Sequence, residues 1–165
     1  MARPVRTLPV ILAFILAIAF EVMPLPEALQ PFRPPLVMMI LIYWTMMWPQ
    51  RVGVGIAFCI GICLDILHGQ LLGQNALALI VVTYLTLRFH LQIRIFPLWQ
   101  LTMTVFALLT FNALLQLLVE GLAGLSPSGF MHWTQVLTGT LLWPFVMGAM
   151  DRLRMTVELR RSNFN

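Results

Sequence analysis

The sequence predicts an all-α integral membrane protein, a compact bundle of six transmembrane helices forming one domain over residues 1–165. Three observations carry that expectation. Hydrophobic residues make up 60% of the chain and charged residues only 10%, against roughly 25% charged in ordinary soluble domains. Apolar runs follow one another from end to end, and at about 20 residues per spanning helix the chain has room for about six spans with short connections. The arginines, and most of the prolines, cluster between those runs. A mean hydropathy of +0.90 leaves no stretch polar enough for a second, water-soluble domain.

The first run covers about Leu8 to Met23 and is stopped by Pro24 and Pro26, because proline removes a backbone donor and clashes with the preceding turn. Arg3 and Arg6 ahead of it resemble the charged region of a secretory signal. No small-x-small cleavage site precedes the prolines, so the run is expected to stay as an uncleaved first span. The second run, Pro35 to Trp48, is bounded by Pro34, Pro35 and Pro49. As a helix it is roughly 21 Å long, so it either spans a locally thinned bilayer or fails to cross. The third run is Val52 to Leu67, the fourth about Leu71 to Leu87, the fifth Leu98 to Val119 and the sixth about Thr134 to Met150. Residues 151–165 form a basic tail, expected on the cytoplasmic side against anionic lipid, each basic residue contributing about 1 kcal/mol.

The net charge of +4 comes from arginine alone, since the chain has no lysine. These arginines read as topology signals, and nucleic acid is excluded as a partner. With six crossings, nine arginines fall on one side, at positions 3, 6, 51, 88, 94, 152, 154, 160 and 161, and Arg33 alone on the other. Dropping the second run and turning the N-terminus outward gives eight against two. The positive-inside rule therefore favours six spans with both termini cytoplasmic, by a margin of one pair of arginines. Trp48, Trp99 and Trp133 fall at helix ends, where amphipathic rings favour the headgroup zone.

Ionisable groups inside a bilayer are costly and usually face protein or a water-filled cavity, which makes Glu21, Asp65 and Glu120 the groups to examine. Glu21 and Glu120 lie near outer helix ends and are expected to reach the interface. Asp65 ends a broad face of small residues on the third helix: Ala57 and Gly61 precede it at steps of four, and Gly55, Cys59 and Cys63 repeat the same spacing. Such a face allows close helix approach, so Gly55, Cys59, Gly61 and Cys63 are expected to pack against another helix. The two cysteines read as small packing residues without a redox or metal role. Beyond Asp65, the turn with His68, Gly69, Gly73, Gln74 and Asn75 offers backbone donors to the carboxylate. Asp65 is expected to tie this turn down, with a partner contact, or a proton relay or ligand contact, as the alternatives.

Asn112, Gln116 and Glu120 form a polar stripe at steps of four on the fifth helix, expected to fix helix pairing. In the sixth, Trp143 and Pro144 imply a kink, and Thr140 and Gly148 a further small stripe. Catalysis has little support. His68, His90 and His132 fall at outer, inner and outer ends, no zinc-binding pattern occurs, and Ser126 and Ser128 sit in a proline-glycine turn without a nucleophile elbow. The expectation is no enzyme, no cofactor and no metal.

The ordered series Phe32-Arg33-Pro34, Tyr43-Trp44, Pro49, Arg51-Val52-Gly53-Val54-Gly55, Gly61, Leu64-Asp65, Gly69, Leu72-Gly73 and Ala76-Leu77 resembles the MreD family of rod shape-determining membrane proteins. Leu142-Trp143-Pro144 before a basic tail is similar to the end of that family. The resemblance implies a non-enzymatic inner-membrane component of the cell-elongation machinery, associated with MreC and linking MreB filaments to peptidoglycan synthesis by RodA and its paired transpeptidase. It also implies an architecture similar to the substrate-binding components of energy-coupling-factor vitamin transporters. The family positions carried onto this chain are Arg33, Tyr43, Trp44, Arg51, Asp65, Gly69 and Gly73. Asp65 and the Gly69 to Gly73 turn are expected to shape a groove in the outer half that receives MreC or stabilises the fold around its site. The rival expectation is a small-molecule-binding component of a transporter, with Asn112, Gln116 and Glu120 lining a cavity near the external face; a lipid-binding helper is the third.

Overall fold

The computed structural model describes residues 8–24, 26, 29–69, 71–124 and 129–162, with side chains described between Val10 and Met155. The arginines at 3 and 6, the serines at 126 and 128 and the side chains of the arginines at 160 and 161 lie outside the described residues. Among the described residues the chain is all-helical, with six α-helices and no strand. They are α1 (Leu8–Val22), α2 (Leu36–Met47), α3 (Val54–His68), α4 (Gln74–Arg94), α5 (Leu98–Leu122) and α6 (Gly129–Ser162). A single 3-10 turn, Gln30–Phe32, precedes α2.

Helix α2 is the centre of the bundle. Its apolar residues lie all round the axis, a pattern that demands burial on every side, and the ten consecutive residues Val37 to Met46 are all buried. It packs on α1, α4 and α6. Proline sets both limits: Pro35 stands at its N-cap and Pro49 follows the Trp48 C-cap. Twelve residues give about 18 Å of helix, well short of a hydrocarbon core of about 30 Å.

Around it, α3 and α4 form a tight hairpin. Gly69 closes α3 in the left-handed region at φ +62°, its N–H reaching the carbonyls of Asp65 and Ile66, and Gly73 opens α4 at φ +100°. The close approach centres on Gly61, where an added Cβ would lie 2.2 Å from the Cα of Ala76. Of the two small-residue lines on α3, Ala57, Gly61 and Asp65 face inward and are buried. The other line differs from expectation. Gly55, Cys59 and Cys63 are exposed, and a Cβ added at Gly55 would meet open space. The reason is rotational: a carboxylate that must be satisfied and a glycine that admits α4 both lie on the Asp65 line, and only one line can face the core.

Helices α4 and α5 are each long and apolar enough to cross a membrane, at 21 and 25 residues. Helix α4 runs on past Leu87 to Arg94, so Arg88 and Arg94 lie on its final turns. Helix α6 starts at Gly129, continues through Pro144 and extends to Ser162, a length of about 51 Å. Its packing glycine is Gly139, whose added Cβ would stand 2.8 Å from Leu109 of α5 and 3.1 Å from Pro35. Gly148, grouped with Thr140 in the expected stripe, is exposed with open space around it. Trp143 is fully buried, while Trp99 and Trp133 are exposed.

Candidate functional site

Up-and-down order brings the C-terminal ends of α1, α3 and α5 together with the N-terminal ends of α2, α4 and α6. At that end lies a cavity of about 500 Å³ lined by residues of all six helices, among them Glu21, Arg33, His68, Asn75, Gln116 and His132. Polar side chains cluster there because α1, α3, α4, α5 and α6 each bring polar groups near that end, and the α1–α2 connection adds Gln30 and Arg33.

Two capping arrangements build the walls. Asp65, 1% exposed, accepts hydrogen bonds from the backbone amides of Gly73 at Oδ2 and Asn75 at Oδ1, each 2.8 Å. The carboxylate of one helix thus caps the next, satisfying orphan amides and complementing the positive end of the α4 dipole. The left-handed Gly73 lets the chain turn back far enough for both bonds. At the α1–α2 junction, Arg33 donates from its two terminal nitrogens to the main-chain oxygens of Glu21 and Met23, at the negative end of α1. The Glu21 carboxyl group takes the opposite part, lying beside the Val37 backbone amide at the start of α2.

The polar stripe of α5 forms the third wall. Gln116 donates to Asn75 Oδ1 at 3.2 Å, and Gln74 donates to Glu120 Oε1 at 3.3 Å. His132 of α6 meets the same oxygen of Glu120 through Nε2 at 2.9 Å. Asn112 lines the cavity one turn deeper. Glu120 is thus held by two neighbouring helices and Glu21 is 8% exposed, so neither extends outward to an interface.

The structure brings Arg33, Asp65, Gly73, Asn112, Gln116 and Glu120 to this end of the bundle, with Gly69 in the exposed turn beside them. Tyr43 and Trp44 are fully buried elsewhere, ring edge against face at 5.4 Å between centroids. Tyr43 donates to Asp151 Oδ1 of α6 at 2.5 Å, and Arg154 reaches the Met47 sulfur at 3.1 Å, fastening α2 to α6 at the opposite end. Arg51 is exposed in the α2–α3 turn at that same end. The pairing of Gln74 and His132 with Glu120 was not legible in the sequence, because the partners lie on other helices, 46 and 12 positions away; the polar stripe on α5 was the available signal. Among the described residues no group of three or more His, Cys, Asp or Glu side chains is placed to hold a metal ion.

The profile of the family described as rod shape-determining protein MreD matches residues 1–153. The chain belongs to the MreD family. It is 31% identical over 149 residues to the rod shape-determining protein MreD of Haemophilus influenzae, covering 88% of this chain and 90% of that protein. No solved structure matches the chain significantly. Membership makes this a shape-determining membrane protein of a structural family, and the fixed network of caps and pairs at the cavity accords with that.

Proposed function

We propose that this MreD-family chain is a non-enzymatic scaffold of the bacterial cell-elongation machinery, lying in the inner membrane with six crossings and both termini cytoplasmic. It binds MreC directly and helps couple MreB filaments to peptidoglycan synthesis by RodA and its paired transpeptidase. The observation that carries this reading is the family match across residues 1–153, nearly the whole chain. The arginine distribution supports the orientation: Arg51, Arg88, Arg94, Arg152 and Arg154 gather at the end away from the cavity, in keeping with a cavity on the external side. In that frame the short α2 crosses a bundle rather than lipid, its whole length covered by neighbouring helices. The Asp65 cap and the Gly69 to Gly73 turn then form the rim of the outer surface that receives MreC.

A gentle-detergent pull-down of the chromosomally tagged protein, with mass spectrometry of proteins and small molecules, tests the reading. Recovery of MreC and the elongation synthases supports it. A second reading, a small-molecule-binding component of a transporter related in architecture to energy-coupling-factor components, is favoured by the cavity that Asn112, Gln116 and Glu120 line. It requires a transporter ATPase pair in the same pull-down, with MreC missing.

A further inference from the structure

The walls of the cavity are built with acceptors that the chain itself does not satisfy. Glu21 and Glu120 both line it, and in each the Oε2 atom is buried with no hydrogen-bond partner among the described residues. Asn112 Oδ1, on the same lining, is likewise unpartnered. Several of the donors nearby are already engaged: Arg33 through its two terminal nitrogens on the α1 carbonyls, Gln116 on Asn75, and Gln74 and His132 on Glu120, while Arg33 Nε is buried without a partner among the described residues. The carboxyl groups of Glu21 and Glu120 share the lining with one guanidinium, that of Arg33. Burying a charge and leaving acceptors unpaired are both costly in a water-poor environment. The volume of about 500 Å³ falls in the range of small-molecule sites, roughly 300 to 1,000 Å³.

These features specify a complement that carries positive charge and several N–H donors. A coordinated metal does not fit, because the described residues hold no set of three ligating side chains. We propose that this cavity binds a primary ammonium group, held against the carboxylates of Glu21 and Glu120 with the Asn112 amide as a further acceptor. Two sources supply that chemistry, the ethanolamine head group of a phospholipid and a free soluble amine. The inference goes beyond the scaffold reading and stands or falls apart from it.

The test uses the full chain reconstituted in nanodiscs of phosphatidylglycerol, of phosphatidylglycerol with phosphatidylethanolamine, and of phosphatidylglycerol with phosphatidylcholine. Native mass spectrometry counts retained lipid, and saturation-transfer NMR follows soluble ethanolamine in the phosphatidylglycerol discs. The expected result is saturable binding of one amine-bearing molecule per chain, with choline, which has charge but no N–H, bound at least about tenfold more weakly. Retention of phosphatidylethanolamine identifies the lipid source, and ethanolamine binding alone identifies the soluble one. Glu120→Gln and Glu21→Gln each weaken binding roughly tenfold or more. Glu120→Gln is the decisive variant, because Glu21 is buried at the α1–α2 junction and its substitution also perturbs folding. Equal retention of choline and ethanolamine lipids, no saturable binding of either probe, or unchanged binding in a folded Glu120→Gln protein overturns the proposal. MreC co-purification, measured on the same wild-type preparation, reports on the scaffold reading independently.

Discussion

Arg33 and Glu21 clasp the junction of the first two helices from both sides. The guanidinium donates to the Glu21 and Met23 carbonyls at the end of α1, and the Glu21 carboxyl group lies beside the Val37 amide at the start of α2. Each charge sits at the helix end whose dipole it complements. Arg33→Ala leaves carbonyls at a half-buried helix end without a charged donor, and is expected to cost about 2 kcal/mol. Arg33→Lys recovers less than half of that, because an ammonium cannot reproduce the planar fork that reaches two oxygens. Denaturant titration in mixed micelles checks the order wild type, Lys, Ala.

The two faces of α3 make opposite predictions. At Gly61 a methyl group would enter the backbone of Ala76, so Gly61→Ala must push α3 and α4 apart. Overpacking of this kind costs about 1 to 3 kcal/mol, and the effect is read as lower accumulation and a lower unfolding midpoint. Cys59 is exposed, and Cys59→Leu is expected to stay within about 0.5 kcal/mol of wild type in the isolated protein. A destabilised Cys59→Leu in detergent would mean that the outward line is packed after all.

What the sequence disclosed followed from the length scale of each signal. Helix number and order were legible because apolar runs and prolines act locally, and proline fixed both ends of α2 to within a residue or two. The Asp65 turn was legible because its partners Gly73 and Asn75 lie within ten residues. By contrast, whether Gly61 or Cys59 faces α4 depends on helix rotation, which identical four-residue spacing leaves open. The Tyr43–Asp151 bond spans 108 positions, and the start of the expected tail turned out to belong to a helix that continues. Glu21 near a helix end looked like an interfacial residue; it is buried, and Arg33 from the next segment bonds its main-chain oxygen, a contact 12 positions away.

Tyr43→Phe removes the hydroxyl that joins α2 to α6 at the end away from the cavity while keeping the ring in the core. The expected loss is about 1 kcal/mol or somewhat more, since the acceptor is a carboxylate. Asp151→Asn retains an acceptor oxygen and costs less. In a double-mutant cycle the two changes are strongly non-additive, and additivity would show that the bond contributes nothing to stability.

Asp65 separates a structural role from a contact role. Both of its oxygens are committed to amides at 2.8 Å and its side chain is 1% exposed, so no oxygen is left to meet another protein. Asp65→Ala orphans two buried donors at the start of α4 and is expected to cost about 3 kcal/mol. Asp65→Asn keeps one acceptor oxygen and loses the charge that complements the helix dipole, for roughly half that cost. Because the role is to hold the turn, MreC co-purification per folded molecule is expected to stay near wild type in Asp65→Asn, with accumulation falling in step with stability. Exposed Gly69, held at positive φ, offers the parallel case: Gly69→Ala strains the turn without touching the carboxylate. If Asp65→Asn abolished MreC recovery at normal accumulation while Gly69→Ala preserved it, the carboxylate would itself be the contact and the cap a secondary feature.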